Sequence, residues 1–409
     1  MSLNSTKNEK RAENPNPFHL SSGNSLDETT GKRCDIAKFI TRIGNFVGSK
    51  ISELAGHHCE YQQIFEADLI DHMKATLYGQ CIGDAIGLLT EFMTKEDVEM
   101  IYGKYEHLEY NLKHKDRHRC RWKNGDWTDD SDQMILIMQS LTEQKGEVYP
   151  LLFAKKLFKW IDYGFSELGD KGGCGIGRLT YDVTKHSQFQ RDPFTAAKYS
   201  WEKAGRDIAP NGGVMRTSIM GLHEFWDVDK VKKNAVEMCK VTHYDERCQA
   251  SVVAVSVAIS LMLQNIKERQ YNIENIIAEA YAHACEFMRD ENQKEELKYY
   301  MFCKELTELK LSEQHSIGYT FKCVGAGFWA LKQTDFRKAL EQIVRNGGDA
   351  DTNSAVAGAL LGCKLGMKVL PYSWVNMLLH KVWLDDKINR YLDVLAKMYS
   401  QRKKETLIN

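Results

Sequence analysis

Two short stretches hold residues suited to gripping a hard cation. Gly347-Gly348-Asp349-Ala350-Asp351-Thr352-Asn353 places two carboxylates one residue apart, after two glycines and before a hydroxyl. Hard divalent ions take oxygen ligands, and glycine lets a loop aim them at one point. Far upstream, Trp127-Thr128-Asp129-Asp130-Ser131-Asp132 repeats the theme, and Asp126 brings the acids to four within seven residues. One acid or hydroxyl ahead of Met134, Ile135, Met138 and Leu141 is an ordinary helix cap. Four exceed what capping requires. Crowded carboxylates raise one another's pKa unless a cation neutralises them, so the pattern favours a metal site over a solvated charge run.

Other stretches could serve the same site. Asp84 and Glu91 lie seven apart and would project from one side of a helix that persisted that far. Gly169 to Arg178 is glycine-rich and flanked by Lys171 and Arg178, so its backbone N–H groups could face a phosphate. Its spacing matches neither the dinucleotide fingerprint nor the Walker loop, and a surface turn fits these residues equally well. Asn211-Gly212-Gly213-Val214-Met215-Arg216 is a second glycine-interrupted stretch, in which Arg216 reads more readily as a structural ion pair than as a ligand holder. His243 stands just before a long helix starting at Glu246, where a histidine caps or packs more often than it touches substrate.

The elements that must position these groups are helical. Leu69, Met73, Leu77 and Cys81 fall four apart, while Gly79, Gly83 and Gly87 form a second stripe without side chains. Gly358, Gly362 and Gly366 repeat that stripe after Thr352. Two such helices, each bordering an acidic loop, can lie close together at the centre of the fold. Helices are expected over 151–166, 194–204, 246–265, 273–288, 290–310, 319–332, 334–345 and 373–400, with no alternating strand pattern of any length. The expected fold is an all-α, single-domain orthogonal helical bundle over residues 66–400, with a short tail over 401–409. Residues 1–33 show neither helical nor strand period and are expected to be disordered, and 34–65 are expected to form a helical extension.

Composition restricts the class of function. With 55 basic and 56 acidic residues the formal net charge is -1, which offers no bulk-charge route to nucleic acid or a membrane surface. Eleven cysteines without a Cys-x-x-Cys pair fit reduced thiols in the cytoplasm better than disulfides or a zinc site, and His57-His58-Cys59 lacks a second pair at zinc spacing. Apolar runs are judged too short or too interrupted to cross a bilayer.

Taken together, these motifs resemble the ADP-ribosylglycohydrolase family. The resemblance rests on Gly83-Asp84-Ala85-Ile86-Gly87 with Glu91, Trp127-Thr128-Asp129-Asp130-Ser131, Asn211 to Arg216, Thr242-His243, and Gly347 to Asn353 running into Ala357-Gly358-Ala359, in family order over about residues 66–400. It implies an all-helical domain with two magnesium ions, or manganese in some members, at the base of an ADP-ribose cleft. By motif, Thr128, Asp129, Asp130, Asp349, Asp351 and Thr352 become the metal ligands. Glu91 becomes the mobile acid near the scissile bond, with Asp130 and Asp349 as metal-loop acids able to share acid–base work. Gly173, Gly175, Gly177, Asn211, Gly212 and His243 fall where the family holds diphosphate and ribose. The implied partner is an ADP-ribosylated protein or small ADP-ribosyl conjugate, acted on by a monomer.

The chain departs from the family pattern in places. Ser131 stands where threonine is common, and Thr217-Ser218-Ile219 where a nearby proline is common. Two classes of function follow: a metal-dependent hydrolase of an ADP-ribosyl bond, or a silent ADP-ribose-binding or crystallin-like protein on the same fold. Retention of all six ligand positions and Glu91 favours the hydrolase, because mutually repelling acids have no structural use.

Overall fold

A computed structural model describes residues 59–266 and 271–408, with side chains through Glu405. The polar tail expected over 1–33 and the extension expected over 34–65, except Cys59 to Phe65, lie outside the described residues. Among those described there are helices and no strand, as the periodicity predicts. The helices that build the site are α1 (Ala67–Gly87), α2 (Asp129–Glu143), α3 (Glu246–Gln264), α4 (Thr320–Leu331), α5 (Phe336–Val344), α6 (Ala350–Leu365) and α7 (Lys381–Ile408).

The two glycine stripes pack directly on each other. A Cβ at Gly79 would overlap the carbonyl of Gly358, one at Gly83 the carbonyl of Ser354, and one at Gly87 the carbonyl of Ala350. The pairing runs in opposite directions along the two helices, so α1 and α6 are antiparallel. The end of α1 therefore meets the start of α6. Backbone-to-backbone approach of this kind is open only to glycine, which has no Cβ. Gly366, the last of the second stripe, lies beyond α6 at φ 81° and ends the helix.

The remaining core helices close around this pair. Gly327 of α4 would bring a Cβ to 2.9 Å from Val356 Cγ1, so α4 lies close along α6. Helix α3 has the length and composition of a membrane span, contrary to the expectation that no run was long enough. Its apolar residues serve the core instead, since 83% of that window is buried within the protein.

Some helix boundaries differ from expectation, each for a local reason. The helix expected over 290–310 stops at Met301, and Leu306–Leu309 forms a separate 3-10 turn. There Glu308 accepts the backbone N–H groups of Lys304 and Glu305, a competitor to helix continuation. The helix expected over 373–400 is split into Tyr372–Met377 and α7, because Leu378 is extended and Leu379 donates its N–H to Gly125 O at 2.8 Å. Helix α7 runs through 401–408, where a tail was expected, and Arg402 lies over the Trp226 ring at 5.8 Å.

Candidate active site

The acidic loops meet because α1 carries one anchor for each. Asp84, near the end of α1, accepts Thr128 N–H at 2.9 Å through Oδ1. Its Oδ2 accepts Ser131 N–H at 2.9 Å and Ser131 Oγ at 2.6 Å. Asp84 thus satisfies free donors at the start of α2, a task usually left to the helix's own cap residue. Thr128 caps the same helix through Asp130 N–H at 3.4 Å and lies 3.5 Å from Asp351 Oδ2 although 223 residues away in sequence. Gln80, one turn before Asp84, donates to Met215 O at 2.9 Å and to Asp130 O at 3.3 Å, joining the third loop to the first two.

Three residues past Asp84, α1 stops at Gly87, and Glu91 lies beyond it in a turn. Asp84 and Glu91 would share a helix face only if α1 persisted to Glu91, and it ends where Gly87 meets the Ala350 and Asp351 backbone. Phe92 takes φ 61°. Phe92 N–H donates to Gly348 O at 2.7 Å, and Gly348 N–H donates back to Met93 O at 2.9 Å. This two-bond clasp sets Glu91 beside the second acidic loop. Both glycines there have positive φ, 67° at Gly347 and 76° at Gly348, a conformation that side chains disfavour.

The result is two overlapping groups of carboxylates. Oxygens of Asp84, Asp130 and Asp351 lie within 4.8 Å of one another, as do oxygens of Glu91, Asp349 and Asp351. Burial raises the pKa of every aspartate here. It brings Asp84 up to about 6, held down partly by the Ser131 and Thr128 bonds. Asp129 is pushed to about 8, by burial and then by the charges of Asp84, Glu91 and Asp349. Asp130 and Asp351 are driven well above the usual range, by burial and then by neighbouring acids. Asp349 is also raised by burial, although Asp351, Asn211 and Thr352 oppose this with hydrogen bonds.

A divalent cation fits this donor set. Asp130 Oδ2 is buried without a hydrogen-bond partner, and a buried acceptor without one costs about 1–3 kcal/mol. The surrounding donors are all oxygen, which suits a hard ion. Of the four acids read together upstream, only Asp129 and Asp130 line the cavity. Asp132 points away, accepting Trp127 Nε1 at 2.7 Å and Trp160 Nε1 at 3.1 Å, and Asp126 faces His380 at 3.4 Å. Their presence is a packing feature.

The carboxylates open into a cavity of about 110 Å³, also lined by Gly175, Gly177, Asn211, Gly212 and His243. Asn211 Nδ2 donates to Asp349 Oδ2 at 2.8 Å. Gly175, at φ 104°, lies against Asp129 Oδ1, where a Cβ would collide. Gly173 does not line the cavity and packs on the Trp160 ring. Arg178 lines the cavity wall, but its Nε is held by Asp182 at 2.7 Å. Arg178, Leu179 and Pro210 also border an outer groove of about 1030 Å³.

Arg216 does not form the ion pair expected of it. Its Nη1 donates to Gln133 Oε1 at 2.8 Å, its Nη2 to Thr242 Oγ1 at 2.7 Å and Met238 O at 3.1 Å, and its guanidinium lies over the Phe153 ring at 4.9 Å. Burial lowers its pKa to about 10. Gln133 in turn donates to Asp129 Oδ2 at 2.7 Å, so a continuous chain links a site carboxylate to Thr242. Thr242 Oγ1 lies 2.8 Å from His243 Nδ1. The guanidinium can only donate, so the hydroxyl accepts from it, and among the described residues His243 Nδ1 is the one acceptor within reach of the hydroxyl's own hydrogen, which is therefore given to Nδ1. His243 Nε2 then carries the ring proton, and burial, with Arg216 nearby, keeps the imidazole neutral by lowering its pKa well below normal.

Two participants, Gln133 and His118, are absent from the sequence motifs, and the role of a third differs. Asp84, although part of a motif, gives no sign in the sequence that it anchors the start of α2. His118 Nε2 lies 2.6 Å from Glu91 Oε2.

The chain matches the family model described as ADP-ribosylglycohydrolase over residues 66–405. It is 24% identical to the ADP-ribosyl-[dinitrogen reductase] glycohydrolase of Rhodospirillum rubrum, covering 80% of this chain and 96% of that one. It is 21% identical to the ADP-ribosylarginine hydrolase Tri1 of Serratia proteamaculans, covering 77% of each. The ADP-ribosylhydrolase ARH3 of Bos taurus is 22% identical, over 75% of this chain and 88% of its own. A solved structure entitled ADP-ribosylglycohydrolase-related protein complex shares the fold, with TM-score 0.58 at 20% identity, over 81% of this chain and 99% of the other.

Proposed function

The chain belongs to the ADP-ribosylglycohydrolase family and is a hydrolase of ADP-ribosyl groups, and from that premise we propose that it cleaves the C1'' bond between ADP-ribose and a protein side chain or related conjugate. The observation that supports this reading most is the convergence of Glu91, the buried aspartates and neutral His243 on one cavity. That cavity is too small for a whole nucleotide sugar. Ligand sites commonly occupy about 300–1,000 Å³, so the distal ribose would sit at the acidic end with the rest of ADP-ribose in the outer groove.

Thr128, Asp129, Asp130, Asp349, Asp351 and Thr352 would hold two magnesium or manganese ions. When bound, the pair supplies Lewis acidity and neutralises the crowded carboxylates. The protein's own groups divide the rest of the work. His243 offers Nε2–H as a fixed donor, while Asn211 and the Gly175–Gly177 backbone border the sugar. Glu91 exchanges a proton with the leaving side chain or attacking water as the C1'' bond breaks with oxocarbenium character. Asp349, grouped with Glu91 and Asp351, and Asp130, on the same cavity, are the acids proposed to share that task.

The deciding experiment is release of ADP-ribose from arginine-linked and serine-linked peptides, with Glu91→Ala as control. Turnover of at least one linkage by the wild type, lost in the variant, is expected. Binding of ADP-ribose with turnover of neither would leave a reader of ADP-ribose and sink the proposed substrate.

A further inference from the structure

Glu91 is buried at 7% exposure, and its Oε2 faces His118 Nε2 at 2.6 Å. His118 is itself held from the far side. Arg121 Nη2 lies 2.6 Å from His118 Nδ1, and Arg121 Nε donates to His118 O at 3.1 Å. The guanidinium stacks over the Trp122 ring at 4.4 Å, and the imidazole sits between Phe92 and Trp122, with ring centroids 5.1 and 5.4 Å away. Apart from Glu91, none of these residues belongs to a motif of the resemblance.

The hydrogen-bond inventory fixes the protonation pattern of this group. A guanidinium has five donors and no acceptor, so His118 Nδ1 must accept and carries no proton. The ring proton is therefore on Nε2 and is donated to Glu91 Oε2. Since Arg121 occupies Nδ1, the imidazole has no second nitrogen free to pass a proton onward. The arrangement can fix a carboxylate and cannot relay a proton through the ring.

We propose that His118 is a positioning residue for Glu91, locked by Arg121 as the Nε2–H tautomer, which commits Oε2 to the imidazole and leaves acid–base work to Oε1. The proposal rests on Glu91 acting in the hydrolysis proposed above. The turn carrying Glu91 has left the rigid frame of α1, so its side chain gains most from such a lateral support. A general acid displaced by about 1 Å can lose about 10²-fold in rate.

The test uses the full chain and two readouts. In the first, turnover of arginine-linked and serine-linked ADP-ribosyl peptides is compared with ADP-ribose affinity. His118→Ala is expected to lower kcat about 10- to 100-fold while the Kd for ADP-ribose and the melting temperature stay near wild type. His118→Gln, which keeps an N–H donor, is expected to recover much of kcat. Unchanged kcat in His118→Ala, or an equal loss of ADP-ribose affinity without recovery in His118→Gln, would overturn it. In the second, nitrogen NMR of the histidine ring reads the tautomer without needing turnover. A proton on Nε2 alone, whose signal moves in Glu91→Gln, supports the lock, and a proton on Nδ1 overturns it. If the wild type hydrolyses neither peptide, the proposed substrate fails while the ring spectrum still decides the His118–Glu91 contact.

Discussion

Gly83 lies against the carbonyl oxygen of Ser354 so closely that a single methyl group would overlap it. In an exposed helix, glycine to alanine stabilises by roughly 0.5–1 kcal/mol. Here the obstacle is backbone on both sides and cannot rotate away. Gly83→Ala is expected to destabilise by about 1–3 kcal/mol or more, read from chemical denaturation. A variant as stable as wild type would show that α1 and α6 are not so closely packed.

The same helix contact forces buried acids together, which makes the metal-free protein unusually sensitive to pH. Asp84 and Asp129 have folded-state values raised to about 6 and about 8. Between the ordinary aspartate value and these, the folded state binds more protons than the unfolded state, so stability falls as pH rises. With divalent ions stripped, the melting temperature is expected to decline from about pH 4 toward pH 8. Magnesium or manganese should flatten that slope. A metal-free protein that gains stability over this range would contradict the buried-acid cluster.

Asp351 faces the charges of Glu91, Asp349 and Asp130. Asp351→Asn removes one member of this repelling set. In chelator it is expected to melt no lower than wild type, while losing most of the stabilisation conferred by magnesium with ADP-ribose. Differential scanning calorimetry with and without ligand distinguishes the two effects. A large loss of stability in chelator would mean that Asp351 has a structural role that the repulsion argument misses.

Thr242 joins Arg216 to His243, accepting from one at 2.7 Å and lying 2.8 Å from the other. Thr242→Val preserves shape and removes the hydroxyl, so Arg216 loses an acceptor and His243 is free to change tautomer. A hydrogen bond of this kind is worth about 0.5–1.5 kcal/mol, so ADP-ribose affinity should fall up to about tenfold by calorimetry. Unchanged affinity would remove His243 Nε2–H from the binding site.

Local chemistry made much of this protein legible in its sequence. Helical period and glycine spacing follow from repeat geometry, so the all-α fold and the two striped helices were readable. The acid–hydroxyl loops and Glu91 also stood out, because those residue types have few other uses together. Which acids face the cavity was not readable. Asp129 and Asp132 share one short run, yet packing turns Asp132 onto two tryptophans and leaves Asp129 in the site. Asp84 serves the start of α2, 44 residues further along the chain, because tertiary packing brings the end of α1 against it. Gln133, Arg216 and His118 gain their roles from partners distant in the chain. Residue type and spacing determine what a side chain can do; its direction and its neighbours arise only when helices far apart in sequence pack, and those decide what it does.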